Sequence, residues 1–248
     1  MGKLVNRIAL VTGGGRGIGK GIAVRLAAEG AHVIINYSRS RADAEALADA
    51  VRAEGGSAST ICADLSDLAA IATMFEAIKR EHSHIDILVN NAARGSSGMP
   101  RLDTSTPEQF EAMMSLNMRG LYFTTQAAVR LMRDGGRVIS ISSSSTMARV
   151  PGLSIYAGTK AAVEAFTRIW AAELASRRIT VNAVLPGITD TDLLRGSLTP
   201  EMARQIGESV PLGRMGTPKD MAGIVAFLAS EDGGWITGQN LVAAGGAA

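Results

Sequence analysis

Short apolar runs alternate along this chain with longer stretches whose apolar residues recur every three to four positions. Strands joined through helices pair in parallel with right-handed crossovers, so this rhythm confines the fold to a parallel sheet covered by helices. The strand-like runs are residues 7–12, 32–37, 59–63, 85–90, 137–142, 179–185 and 240–243. Helical periods fill residues 18–29, 42–54, 68–81, 107–132, 156–176 and 218–230. Together they predict an α/β chain: one doubly wound Rossmann domain over residues 1–248, with a seven-stranded parallel sheet and helices on both faces.

No internal repeat, low-complexity linker or composition break divides that pattern. Its least regular part, residues 187–216, follows a strand end, and open parallel sheets bind ligands at the carboxyl ends of their strands. A substrate lid is expected there, the other reading being an ordinary surface connection with small helices. The 25 basic and 23 acidic side chains nearly balance and the basic ones are scattered, which argues against a nucleic-acid partner. Cys62 is the only cysteine, so an internal disulfide and a multi-cysteine metal site are excluded. It is expected as a small buried hydrophobe on a strand, and no metal is expected. No apolar run reaches membrane-spanning length, residues 1–10 do not read as a secretory leader, and Asn6 breaks the myristoylation pattern. A cytoplasmic protein is expected.

Thr12-Gly13-Gly14-Gly15-Arg16-Gly17-Ile18-Gly19 joins the first strand to the first helix. Glycines there permit positive φ and let the backbone approach a pyrophosphate, while the following helix N-terminus offers unpaired N–H groups and partial positive charge. A dinucleotide site is the expectation. An NAD ribose would be met by a carboxylate at the end of the second strand, where the chain instead reads Asn36-Tyr37-Ser38-Arg39. No acid follows until Asp43, whereas Arg39 and Arg16 suit a phosphate, so NADP(H) is expected, with Ser38 beside it. Asp64 and Leu65, at the end of the third strand, and Asn90-Asn91-Ala92, ending the fourth, fall at the same edge of the sheet. Asp64 suits the adenine amine and the asparagines suit bracing, although each is equally a good turn or cap residue.

Tyr156 and Lys160 stand four residues apart near the start of a long helix, on one face. A nearby cation favours the phenolate and turns tyrosine into a usable proton donor. Such a pair alone is common on helix surfaces, but Ser143 precedes Tyr156 at the end of a strand, placed to donate to a substrate oxygen as charge develops on it. Four consecutive serines leave Ser144 as the alternative. Asn117 is a poor interior helix residue, which suggests a polar task.

From Thr12 to about Gly246, in motif order, the chain resembles the short-chain dehydrogenase/reductase family, and within it the 3-oxoacyl-[acyl-carrier-protein] reductases. The glycine turn matches at Gly13, Gly17 and Gly19, the adenine-side acid at Asp64, and the strand-four motif at Asn90, Asn91 and Ala92. The family's catalytic four fall on Asn117, Ser143, Tyr156 and Lys160, and its Pro-Gly turn on Pro186-Gly187. The resemblance implies that Tyr156 donates the proton and Ser143 holds the carbonyl. It also implies that Lys160 binds the nicotinamide ribose while lowering the Tyr156 pKa, that Asn117 holds a water, and that Thr189 meets the carboxamide through its backbone. Arg16 is similar to the arginine of NADPH-using members, and the homotetramers usual in the family imply contacts along the helices around Asn117 and Ala162 and at the C-terminal strand. Ala93 stands where glycine is common, Thr189 where an aliphatic residue is usual, and Ala244-Gly245-Gly246 where Asp-Gly-Gly is usual.

The function so implied is NADPH-dependent reduction of a ketone or aldehyde, with a 3-oxoacyl thioester as one precedent. Alcohol oxidation and a catalytically silent dinucleotide-binding regulator are the alternatives. Residues 94–99, 147–155 and 188–198 are expected to surround a small-molecule substrate in an apolar pocket.

Overall fold

The computed structural model describes residues 2–95, 98, 100–195 and 199–247. Among them, strands β1 (Ile8–Val11), β2 (His32–Tyr37), β3 (Ser57–Cys62), β4 (Ile85–Asn90), β5 (Met132–Ile141), β6 (Thr180–Pro186) and β7 (Asn240–Ala243) form one sheet. Its order is β3-β2-β1-β4-β5-β6-β7, and every neighbouring pair is parallel. The order reverses between β1 and β4, which opens a crevice at their carboxyl ends.

Helices cover both faces, so a central strand must be apolar on both sides: β4 and β6 are buried along their whole length. On one face Ile22 and Leu26 of α1 (Gly17–Ala28), Leu47 of α2 (Arg41–Ala53) and Val225 and Leu228 of α9 (Pro218–Ala229) pack on Val33, Val89 and Ile139. On the other, Ile71 and Phe75 of α3 (Leu68–His82), Leu121 of α5 (Leu121–Leu131) and Val163 and Trp170 of α6 (Ser154–Glu173) pack on Leu10, Leu88 and Val138. At the amino ends of the strands the buried Asp86 carboxylate accepts from Ile8 N at 2.8 Å and from Arg133 Nη2 at 2.7 Å, which pins β1, β4 and β5 and leaves their other ends to build the site.

The stretch expected as one helix over residues 107–132 is broken. α4 (Pro107–Met114), opened by a Thr106–Gln109 capping box, passes into a π-turn over Ser115–Gly120 before α5 begins, and Met132 already belongs to β5. The reason is tertiary: a Cβ on Gly120 would lie 2.2 Å from the Leu65 carbonyl oxygen, and Asn117 is tied to the loop after β4. β3 starts two residues before the expected position, at Ser57, because its register with β2 pairs Ser57 with His32. Cys62 is exposed rather than buried, since β3 is the sheet's edge and Cys62 its last residue; the thiol donates to the Ser38 carbonyl at 3.7 Å. Among the described residues of 187–216 lie α7 (Asp192–Arg195) and α8 (Pro200–Ser209).

Candidate active site

The β1–α1 turn needs glycine for two separate reasons. Gly13 and Gly17 have φ of +59° and +53°. Gly19 has no room for a side chain: a Cβ would lie 2.4 Å from the Gly13 oxygen. Asn91 locks the turn by donating through Nδ2 to the carbonyls of Thr12 and Gly13 at 2.9 and 3.0 Å. The Thr12 hydroxyl accepts from the backbone N–H of Asn91 and of Ala92 and donates to Val89 O. Asn90 points the other way, donating to Thr125 Oγ1 at 2.8 Å and to Ser140 Oγ at 3.3 Å, so it braces β4 against β5 and α5. Gly15 and Gly19 are buried and Ile18 half-buried against the core.

The first turn of α1 carries no acidic residue, and its N-cap, Arg16, makes no side-chain cap bond. A glycine cradle ending at an uncapped helix N-terminus fits a pyrophosphate. Ser38, Arg39 and Arg16 are exposed around it, and Arg16 comes only within 3.7 Å of Asp43. Asp64 turns on its own loop, accepting from the hydroxyl and the backbone N–H of Ser66 at 2.7 and 2.9 Å, and these bonds hold its carboxyl below the usual range. Leu65 is buried beside it. These residues together fit the phosphates and adenosine of a dinucleotide.

At the carboxyl end of β5, Ser143 caps a short turn over Ser144–Thr146 and its hydroxyl stands on the Tyr156 phenol. Ser143, not Ser144, makes that contact. Lys160 is one turn on from Tyr156, 97% buried, with Nζ 5.8 Å from the tyrosine ring centroid and donating to Ile141 O at 2.8 Å. Here an expectation needs correcting. Burial pushes the Tyr156 phenol up from its ordinary value, and the pull downward comes from the Ser143 hydroxyl rather than from Lys160. The same burial lowers the Lys160 ammonium to about 8. Burial thus moves the two groups in opposite directions, the phenol up and the ammonium down.

Asn117 is buried in the π-turn, where π geometry is frequent at functional sites. Its Oδ1 accepts from Arg94 N at 2.7 Å, and its Nδ2 donates to Arg94 O at 3.0 Å and approaches Thr159 Oγ1 at 3.4 Å. The side chain is thus engaged by the loop after β4 and by α6.

Beyond β6, Gly187 N donates to Ala243 O, and a Cβ on Gly187 would lie 2.8 Å from the Ala244 Cα, so Pro186-Gly187 turns tightly against β7. Thr189 is buried, its hydroxyl donating to Gly187 O at 3.0 Å, and it bridges to Gly216. Both ends of the 187–216 excursion are therefore pinned together. Gly245 and Gly246 lie against Val210 and Pro211 of the same chain, and Ala244 against Gly187. The expected rim shows exposed Arg94, Met147, Val150 and Ile188. A cavity of about 530 Å³ opens between residues 101–103 and 148–154, beside the first turn of α6. Ser96, Ser97, Met99, Gly196, Ser197 and Leu198 of the expected rim lie outside the described residues.

Asn36 was not singled out by sequence reasoning, although a lone polar residue in an apolar strand was its available signal; it is 98% buried under the glycine turn. Among the described residues no cluster of His, Cys, Asp and Glu could hold a metal, and no helix is long and apolar enough to cross a membrane.

Comparison with known proteins gives the following matches. The family described as enoyl-(acyl carrier protein) reductase matches residues 13–248. An uncharacterized oxidoreductase of Methylorubrum extorquens is 40% identical, over 99% of both chains. A solved short-chain dehydrogenase/reductase of Serratia marcescens superposes with a TM-score of 0.93 at 37% identity, over 99% of each chain. The angucycline C-6 ketoreductase LanV, solved with bound NADP, superposes at 0.92 with 37% identity, over 99% of this chain and 97% of its own.

Proposed function

The chain belongs to the short-chain dehydrogenase/reductase family, and from that premise we propose that it reduces a ketone or aldehyde to an alcohol with NADPH, Tyr156 supplying the proton. The observation that carries the reading is the group formed by half-buried Ser143 and Tyr156 with buried Lys160 at the carboxyl edge that also holds the glycine turn. A ketoreductase of the same fold is known with NADP bound.

NADPH, when bound, supplies the hydride; the protein's own residues do the rest. Gly13, Gly15, Gly17, Ile18 and Gly19, with Asn91 and Ala92 behind them, would receive the pyrophosphate. Arg16, Ser38 and Arg39 would take the ribose phosphate, and Asp64 and Leu65 would hold the adenine. Pro186, Gly187 and Thr189 would hold the nicotinamide. Ser143 donates to the carbonyl oxygen as negative charge grows there. Tyr156 gives its proton to the nascent alkoxide, and the Lys160 ammonium, which would also hold the nicotinamide ribose, offsets the phenolate left behind. Asn117 acts as a positioning residue, holding the loop at Arg94 and the start of α6 in register. The same residues serve alcohol oxidation, since the cofactor ratio sets direction.

Residues 187–216 act as the substrate lid, hinged where Thr189 meets Gly216. The chain works in the cytoplasm as a homotetramer with a small-molecule substrate; exposed Tyr122, Phe123 and Ile169 on α5 and α6, and Trp235 and Val242 near β7, support such contacts. The test is NADPH consumption against a panel of ketones, aldehydes and 3-oxoacyl thioesters, with an enoyl thioester and NADH as controls. Turnover of a carbonyl compound with NADPH is expected. Tight NADPH binding without turnover of any carbonyl would instead favour the silent regulator.

A further inference from the structure

Asn36 lies at the carboxyl end of β2, 98% buried between apolar neighbours, where an uncompensated amide would be costly. Both polar atoms of its side chain are used, and both by backbone groups. Its Oδ1 accepts from Gly13 N at 3.3 Å, and its Nδ2 donates to Ala63 O at 3.2 Å and approaches Ile61 O and Tyr37 O at 3.4 Å. Its main-chain oxygen accepts from Gly14 N at 3.0 Å. Gly13 and Gly14 belong to the turn that receives the pyrophosphate, and Ala63 immediately precedes Asp64 at the adenine edge. One side chain therefore joins the two halves of the nucleotide cradle, where serine would be too short to reach both and leucine could bond to neither.

We infer that Asn36 is a positioning residue for the dinucleotide, setting the glycine turn at its working distance from the end of β3. The inference rests on the cofactor reading above. Asn36 itself sits beneath the turn and touches no phosphate. It therefore sets binding of the pyrophosphate half common to NADPH and NADH, whereas Arg39 bears on the ribose phosphate alone.

The test is direct titration of nucleotide fluorescence with wild-type protein, Asn36→Leu and Asn36→Ser, alongside thermal melting without nucleotide and kcat at saturating NADPH. Both variants are expected to lose about tenfold in affinity for NADPH and for NADH alike, with kcat within about twofold, as loss of a buried hydrogen-bonded clamp predicts. A merely structural role lowers the melting temperature and leaves both affinities where they were; that result, in either folded variant, overturns the inference, as does a loss confined to NADPH. Failure of the wild-type protein to bind NADPH would instead overturn the cofactor reading.

Discussion

The two sides of the crevice are built in opposite ways. Beneath the expected nucleotide, Thr12, Asn36 and Asn91 are tied by hydrogen bonds to backbone, Asn90 is tied to the hydroxyls of Thr125 and Ser140, and Gly19 leaves no spare volume. Around the expected substrate, Met147, Val150 and Ile188 are about half exposed, and residues 187–216 form an excursion whose ends meet at Thr189 and Gly216. A cradle made of backbone accepts one ligand shape, because moving any part breaks several hydrogen bonds at once. A rim made of exposed apolar side chains can be re-lined without disturbing the sheet. The comparison teaches that cofactor chemistry is written into the fold, while substrate choice is left to separable side chains.

That contrast can be broken in order of size. Tyr156→Phe should lower kcat roughly 10³-fold, the share a general acid supplies, while NADPH affinity stays near wild type; unchanged turnover would remove the phenol from the chemistry. Gly19→Ala should weaken NADPH about a hundredfold, since its methyl meets the Gly13 oxygen at 2.4 Å; calorimetric titration reads this directly, and wild-type affinity would show the cradle to be pliable.

Lys160 offers a pH test of the buried floor. Its folded pKa, about 8, is below the unfolded value, so burial penalises the charged form fully below pH 8. The unfolded chain binds the extra proton between pH 8 and about 10.5, so this lysine's contribution to stability rises with pH across that window, by up to about 3 kcal/mol. Denaturant unfolding should show the rise in wild type but not in Lys160→Met; parallel profiles would mean that the ammonium is solvated. Arg39→Ala should weaken NADPH about tenfold and leave NADH within about twofold, and equal losses would remove its phosphate role. Ile188→Ala should change the preference between small and bulky ketones by about fivefold with NADPH affinity untouched, and a matching loss of NADPH affinity would erase the distinction between the two sides.

Much of the cradle was legible because its signals are local. A glycine run between a strand and a helix, an arginine pair where a carboxylate would select NAD, and a tyrosine and lysine one turn apart are short-range facts. What was missed depends on distance in space. The break at Ser115–Gly120 comes from Gly120 lying against Leu65 and from Asn117 reaching Arg94, contacts between segments more than 20 residues apart. The exposure of Cys62 follows from β3 ending the sheet, which no periodicity in that strand reveals.

Periodicity and glycine placement alone thus determined the alternating architecture and the turn that receives a dinucleotide, because both act through backbone geometry over a few residues. Only the folded sheet decided which buried amides clamp the turn, and that burial pushes the Tyr156 phenol up from its ordinary value. Desolvation is a property of everything packed around a group, and most of what surrounds this one comes from distant parts of the chain.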